Sequence, residues 1–329
     1  SRSAHGMRIY PWLGMNRHYG PDIYGGVFHS PWIRAHPEFN QVSKDGKRDT
    51  SRVEYFFPEV RQERLNILAE VAERYAPDGL VLGFCRQPPL ASYNPQIVAA
   101  YIRETGIDPR TIDMSRPEVF TDWLRWRAQF VSQLLRELRV RLAPIERRLG
   151  QRVPVVARVP AGGLFWSLAN GMDIETWLRE GLVDELQIDP LEDHGTQAVP
   201  DISPYVALGR AYGVPVYGGI NLTGANGFHR RFNPLVGIRR ALGLVRAEVD
   251  GIEIYEAEVF YHATPTRWLP SLWGHPQLAR QFLVESNLEA VYPVTATNAM
   301  LGHDNHWFYQ PSLFGLPGLP LPRGATTLL

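Results

Sequence analysis

Val153-Pro154-Val155-Val156-Ala157-Arg158-Val159, Leu186-Gln187-Ile188-Asp189, Val214-Pro215-Val216-Tyr217-Gly218-Gly219 and Ile252-Glu253-Ile254-Tyr255-Glu256 are four short runs that read as strands. Between them, Ile174 to Glu180, Pro204 to Tyr212 and Pro234 to Val245 read as helices. Short strands alternating with helices, with no hydrophobic break, mean βαβ units and a parallel sheet.

The same rhythm extends upstream, more loosely. Met7 to Leu13 is strand-like, and a long aromatic- and Gly-rich loop follows to about Pro58. Val60 to Tyr75 places Leu65, Leu68, Val71 and Tyr75 at helical spacing. Asp78-Gly79 turns into a strand over Leu80 to Phe84. After a polar, Pro-rich excursion, Ser115-Arg116-Pro117-Glu118 reads as the start of a long helix that Pro144 or Gly150 ends. A last helix is expected around His275 to Glu285, and the Gly- and Pro-rich tail from Pro311 reads as a strap or flexible end. This makes six strands, where a closed (β/α) barrel has eight. Either two strands precede residue 1 or the sheet is open and doubly wound. No GxGxxG follows any strand, which disfavours a dinucleotide-binding domain.

Composition narrows the function. Lys+Arg and Asp+Glu both number 34, and no basic stripe or acidic tail stands out. That argues against nucleic-acid and membrane-surface partners. No apolar run approaches the roughly 18 residues of a membrane span. One cysteine, Cys85, excludes an internal disulfide and leaves no cysteine-based zinc site. The chain starts without Met, so a leader or more is expected upstream, and a secreted or periplasmic location is favoured over a cytoplasmic one. Nine Trp, 14 Tyr and 14 Phe, many in loops, suit pyranose rings, although large barrels also fill their cores with aromatics.

Asp78-Gly79-Leu80-Val81-Leu82-Gly83-Phe84-Cys85-Arg86 resembles the D-G-I-x-L-D-Y/F-x-R strand of bacterial glycoside-hydrolase-like (family-10-like) barrel proteins. Val156 to Pro160, followed by Gly171-Met172-Asp173-Ile174-Glu175-Thr176-Trp177-Leu178-Arg179-Glu180-Gly181-Leu182-Val183-Asp184, resembles that group's next strand and helix. His36-Pro37-Glu38 and Pro58-Glu59-Val60-Arg61 match its approach to the preceding helix. The resemblance implies a (β/α)8 TIM barrel whose first two strands lie upstream of residue 1. Residues 1–290 would supply strands three to eight, and 291–329 a C-terminal extension that packs on the barrel or is flexible. It also implies sugar-related chemistry. One departure stands out: the family's acid at the end of barrel strand four falls on Gly83.

Glycoside hydrolysis needs two carboxyl groups flanking the bond, and barrel enzymes carry catalytic groups at strand C-termini. There the sequence offers Asp189 and Glu256 as the catalytic pair, with Gln187 and Asp189 on one face and Leu186 and Ile188 on the other. Arg86 and Arg158 also end strands, where a guanidinium either meets an anion or forms a structural ion pair. Asn221 is placed to hydrogen-bond a sugar hydroxyl, and His18 could shuttle a proton or be a hydrogen-bonded loop histidine. Trp12, Tyr19 and Trp166 are candidates for stacking, and Asn16 and Glu258 are further substrate-binding candidates. Arg86, Arg158, Asp189, Asn221 and Glu256 are expected to converge on one cavity. His194, Asp189 and Glu256 could in principle bind a metal, but no tight ligand spacing supports it, so neither metal nor cofactor is expected. The reading is a glycoside hydrolase acting on a poly- or oligosaccharide. The alternative is a barrel that binds carbohydrate without turnover, suggested by Gly83 and by the missing Glu near Asn221. A metal-dependent sugar isomerase is a weaker third reading. The oligomeric state is not legible.

Overall fold

A computed structural model describes residues 6–15, 26–27, 29–85, 89–113, 116–189, 201–220, 234–255, 257 and 269–285. Its main sheet has six parallel strands: β1 (Trp12–Gly14), β4 (Leu80–Gly83), β5 (Val155–Pro160), β6 (Glu185–Asp189), β7 (Val216–Ile220) and β8 (Gly251–Ile254), in that order. The chain is an α/β protein whose strands run in sequence order with helices between them. Contacts group it into two compact units. The first runs up to Arg158 and takes in Leu164–Glu185; the second takes Val159–Gly163 and the chain from Leu186 to Tyr309.

In the first unit the stretch before Pro58 is more than a loop. It holds α1 (Pro31–Ala35) and an antiparallel hairpin of β2 (Asn40–Val42) and β3 (Arg48–Val53). The hairpin escapes sequence reading because its strands are polar, and buried partners replace the usual apolar alternation. Asn40 Nδ2 donates to Arg52 O at 3.3 Å, and Gln41 Nε2 to Pro89 O at 2.9 Å. The Pro-rich excursion likewise contains α3 (Pro95–Thr105), capped by the Asn94 side chain and closed by Gly106 at a φ of 75°.

Helix α2 (Pro58–Tyr75) packs beside the long α4 (Pro117–Leu149). Trp123, Leu124, Ala128, Val131, Leu135, Leu138 and Leu142 form one buried stripe along α4, at the spacing of a single helical face. Each large apolar side chain so buried stabilises the fold by about 1.5–3 kcal/mol. Pro144 does not end this helix; Gly150 does, at a φ of 67°. The carbonyl that Pro144 leaves without a donor belongs to Val140, an exposed residue, so water can satisfy it.

The motif from Gly171 to Asp184 builds structure. Asp173 caps α6 (Ile174–Arg179), accepting from Thr176 N at 3.2 Å and Thr176 Oγ1 at 2.8 Å. Trp177 is fully buried, its ring 5.1 Å from Phe84 and its Nε1 donating to Ser132 Oγ at 3.0 Å. Gly171 sits at a φ of 90°, where a Cβ would meet Leu90 and Ala91.

A second device recurs at the strand starts. Asp184 N donates to Val155 O at 2.8 Å while Asp184 Oδ2 accepts from Val155 N at 2.7 Å. Asp78 makes the same reciprocal pair with Ile9, at 3.0 and 2.9 Å. Asp250 repeats it with Val216, at 2.9 and 2.8 Å. Each clasp satisfies a free N–H at the start of one strand, or just before it in the case of Ile9, with the acid that precedes the next strand.

In the second unit α7 (Ser203–Tyr212) and α8 (Pro234–Arg246) accompany β6, β7 and β8, followed by α9 (Leu269–Trp273) and α10 (Pro276–Glu285). A Cβ on Gly218 would lie 2.4 Å from Leu244 Cδ2 of α8, so Gly218 lets the helix close on the sheet. Among the described residues no helix is long and apolar enough to cross a membrane.

Candidate active site at the strand ends

In the first unit, registers decide what shares a face. Trp12 lies opposite Val81, Gly14 opposite Gly83, and Gly83 opposite Arg158. Trp12, Gly83 and Arg158 therefore stand on one side of the sheet. A Cβ on Gly83 would fall 2.5 Å from Trp12 Cζ2, 2.6 Å from Cε2 and 2.7 Å from Nε1. The Trp12 indole thus lies where a side chain at position 83 would stand. With the ring where it stands, a side chain at position 83 would force it to move. Trp12 keeps 40% of its surface exposed and can offer a ring face to a ligand, whereas Trp166, in α5 (Leu164–Ala169), keeps 8%.

Arg158 is buried. Its Nη1 lies 3.4 Å from Cys85 Sγ, and its carbonyl accepts from Phe84 N and Cys85 N at 2.9 and 3.0 Å. Cys85 is the neighbour that sequence reasoning passed over. Its position two residues beyond Gly83, on the same face by alternation, was the available signal.

In the second unit, Asp189 ends β6 and is fully buried, with its carbonyl accepting from Ala161 N at 3.0 Å. Leu186 pairs with Val216, Gln187 with Tyr217 and Ile188 with Gly218. Gly218 meets α8, so Leu186 and Ile188 share the helix side. Gln187 and Asp189 occupy the other side with Tyr217, whose ring lies over Gly251. Glu253 belongs to that same side, because it pairs with Gly219.

Asn16, His18, Tyr19, Arg86, Asn221, Glu256 and Glu258 lie outside the described residues, as do Glu192, His194 and residues 291–329. Among the described residues, no group of three His, Cys, Asp or Glu side chains is arranged to hold a metal ion.

The sequence of residues 2–192 matches the family described as Glycosyl hydrolase-like 10. The chain belongs to this family. The structural motifs described above, from Asp78-Gly79 to the Thr176-Trp177 helix, fall inside the matched region. No curated protein matches the chain. Among solved structures, the fold is similar to the catalytic domain of β-amylase from Paenibacillus polymyxa, with a TM-score of 0.52, 11% identity and 76% of each chain covered. It is also similar to β-galactosidase from the psychrophilic Marinomonas ef1, with a TM-score of 0.46 and 13% identity over 69% of this chain and 42% of that one. Identity this low makes the first likeness one of fold: a glycosyl hydrolase-like 10 chain with the parallel α/β architecture of barrel glycosidases.

Proposed function

We propose that this glycosyl hydrolase-like 10 chain is a glycoside hydrolase acting on a poly- or oligosaccharide, with Asp189 as one of its two carboxylates. The observation that carries the reading is the position of Asp189. It is a fully buried acid on the last residue of a parallel strand, on the side of the sheet away from α8. Barrel enzymes place their chemistry at strand C-termini. The second carboxylate comes from the end of the last strand, where the sequence supplies Glu253, Glu256 and Glu258. Within the first unit, Trp12 offers an exposed ring face on which a sugar can stack. β1 takes the third position of an eight-stranded barrel, in keeping with the exposed Met7 and Ile9 beside it.

The test is a screen of polysaccharides and 4-nitrophenyl glycosides with wild type beside Asp189→Asn. Turnover by wild type that falls about 10³-fold or more in the variant is the expected result. A second reading, carbohydrate binding without turnover, draws on the Trp12 ring in the place of the Gly83 side chain. Oligosaccharide binding by a wild type that cleaves nothing in the screen would select it.

A further inference from the structure

The pairing of β6, β7 and β8 sets up a row that the sequence alone does not display. Ile188 pairs with Gly218, so the next step of the same register brings Asp189 opposite Gly219. Gly219 in turn pairs with Glu253. Asp189, Gly219 and Glu253 therefore stand side by side on three neighbouring strands, and alternation gives all three the same face, away from α8. Strands lie about 4.8 Å apart, which sets the Cα atoms of the two acids about 10 Å apart with no side chain between them. From that spacing the two carboxyl groups can stand roughly 5–9.5 Å apart, the span used by glycosidase acid pairs.

We infer that Glu253 is the carboxylate that works with Asp189 across Gly219; this rests on the glycosidase reading above. A purely structural layer would fill these positions with Val, Ile or Leu and would not face two acids across an unfilled place, since like charges close together oppose each other's ionisation. Glu253 has the sequence parity of Gly251 and Tyr255, whereas Glu256 has that of Ile252 and Ile254. In the reaction, one carboxyl group, protonated, gives its proton to the glycosidic oxygen as the C1–O bond breaks, and the departing sugar leaves as an alcohol. The other, ionised, either takes a proton from the water whose oxygen bonds to C1, or bonds to C1 itself until water displaces it.

The experiment compares the full chain with Glu253→Gln, Asp189→Asn and Glu256→Gln, on whichever 4-nitrophenyl glycoside or polysaccharide wild type cleaves, and measures the melting temperature of each. Glu253→Gln and Asp189→Asn should each lower kcat about 10³-fold or more with KM little changed. The Glu253→Gln/Asp189→Asn double variant should lose little more turnover than either single variant, since residues that act as a unit are not additive. A structural role for Glu253 would lower the melting temperature instead and overturn the inference. Glu256→Gln losing turnover while Glu253→Gln keeps it would also overturn it and leave the glycosidase reading standing. A wild type that cleaves no glycoside would overturn both.

Discussion

The two ends of the strands use carboxylates in opposite ways. At the starts, Asp78, Asp184 and Asp250 each close the same two hydrogen bonds around one residue of the neighbouring strand. At the ends, among the described residues, no such repetition is seen. Asp189 is buried at the tip of β6, Gly83 has an indole in the place of a side chain, and Arg158 lies beside a thiol. The starts repeat because each faces one task, satisfying a strand's first free donor. The ends carry side chains of different chemistry, on the side where barrel proteins put function. An acid in this fold therefore means different things according to which end of a strand it occupies.

Glu54 shows how far the comparison reaches, and it carries the largest expected effect. It follows β3, is fully buried, and accepts from Ser92 Oγ near the Arg127 guanidinium. Burial outweighs both partners and pushes its pKa up to about 8 from an ordinary 4.5. Folding therefore favours the protonated acid. The stabilisation is complete below pH 4.5, is lost as pH rises from 4.5 to about 8 while only the unfolded chain ionises, and levels off above. At about 1.4 kcal/mol per pH unit the span amounts to a few kcal/mol. Glu54→Gln, neutral throughout, should gain on wild type steadily between pH 5 and 8 in denaturant titrations. A constant difference across that range would mean that burial does not hold Glu54 protonated.

The clasps themselves come next. Asp184 also pairs with Arg139 and with Arg152, the latter at 2.7 Å, and burial lowers the Arg139 pKa against the pull of that acid. Asp184→Ala removes the clasp and leaves a mostly buried guanidinium short of its anion, so about 2–3 kcal/mol of stability should go. Asp78→Ala removes only a solvent-exposed hydrogen bond and should cost about 0.5–1 kcal/mol. Urea unfolding of the two variants measures both. Equal losses would show that the ion pairs around Asp184 add nothing.

Much of the fold was legible because it rests on local pattern. The six strands, the helices after them and the Asp173-Thr176-Trp177 start of α6 follow from alternation, spacing and capping. The β2–β3 hairpin was not, since Asn40, Gln41 and Arg52 are buried by partners distant in sequence rather than by hydrophobicity. The site was legible only as far as single strands allow. Asp189 and Arg158 could be placed on a face from alternation alone. Glu253 needed the register of three strands, and the place of the Gly83 side chain needed the Trp12 ring that fills it, which comes from a strand about 70 residues earlier.

The place of the Gly83 side chain sets a smaller effect than the Asp184 clasp. A Cβ at position 83 would sit within 2.7 Å of three Trp12 ring atoms, and contact that close forces something to move. The obstacle is a side chain, 40% exposed and on the first strand of the sheet order, so the ring can swing outward at modest cost. Gly83→Ala should lose about 1–2 kcal/mol, at the lower part of the range for overpacking. In a Trp12→Ala background the same change should be nearly neutral, and Gly83→Asp should then also be accepted, with its carboxyl in the place the family resemblance assigns to an acid. A double-mutant cycle on melting temperature reads the coupling directly. Additive losses would mean that the backbone around Gly83, rather than the indole, keeps the acid out, and that Trp12 is an incidental neighbour.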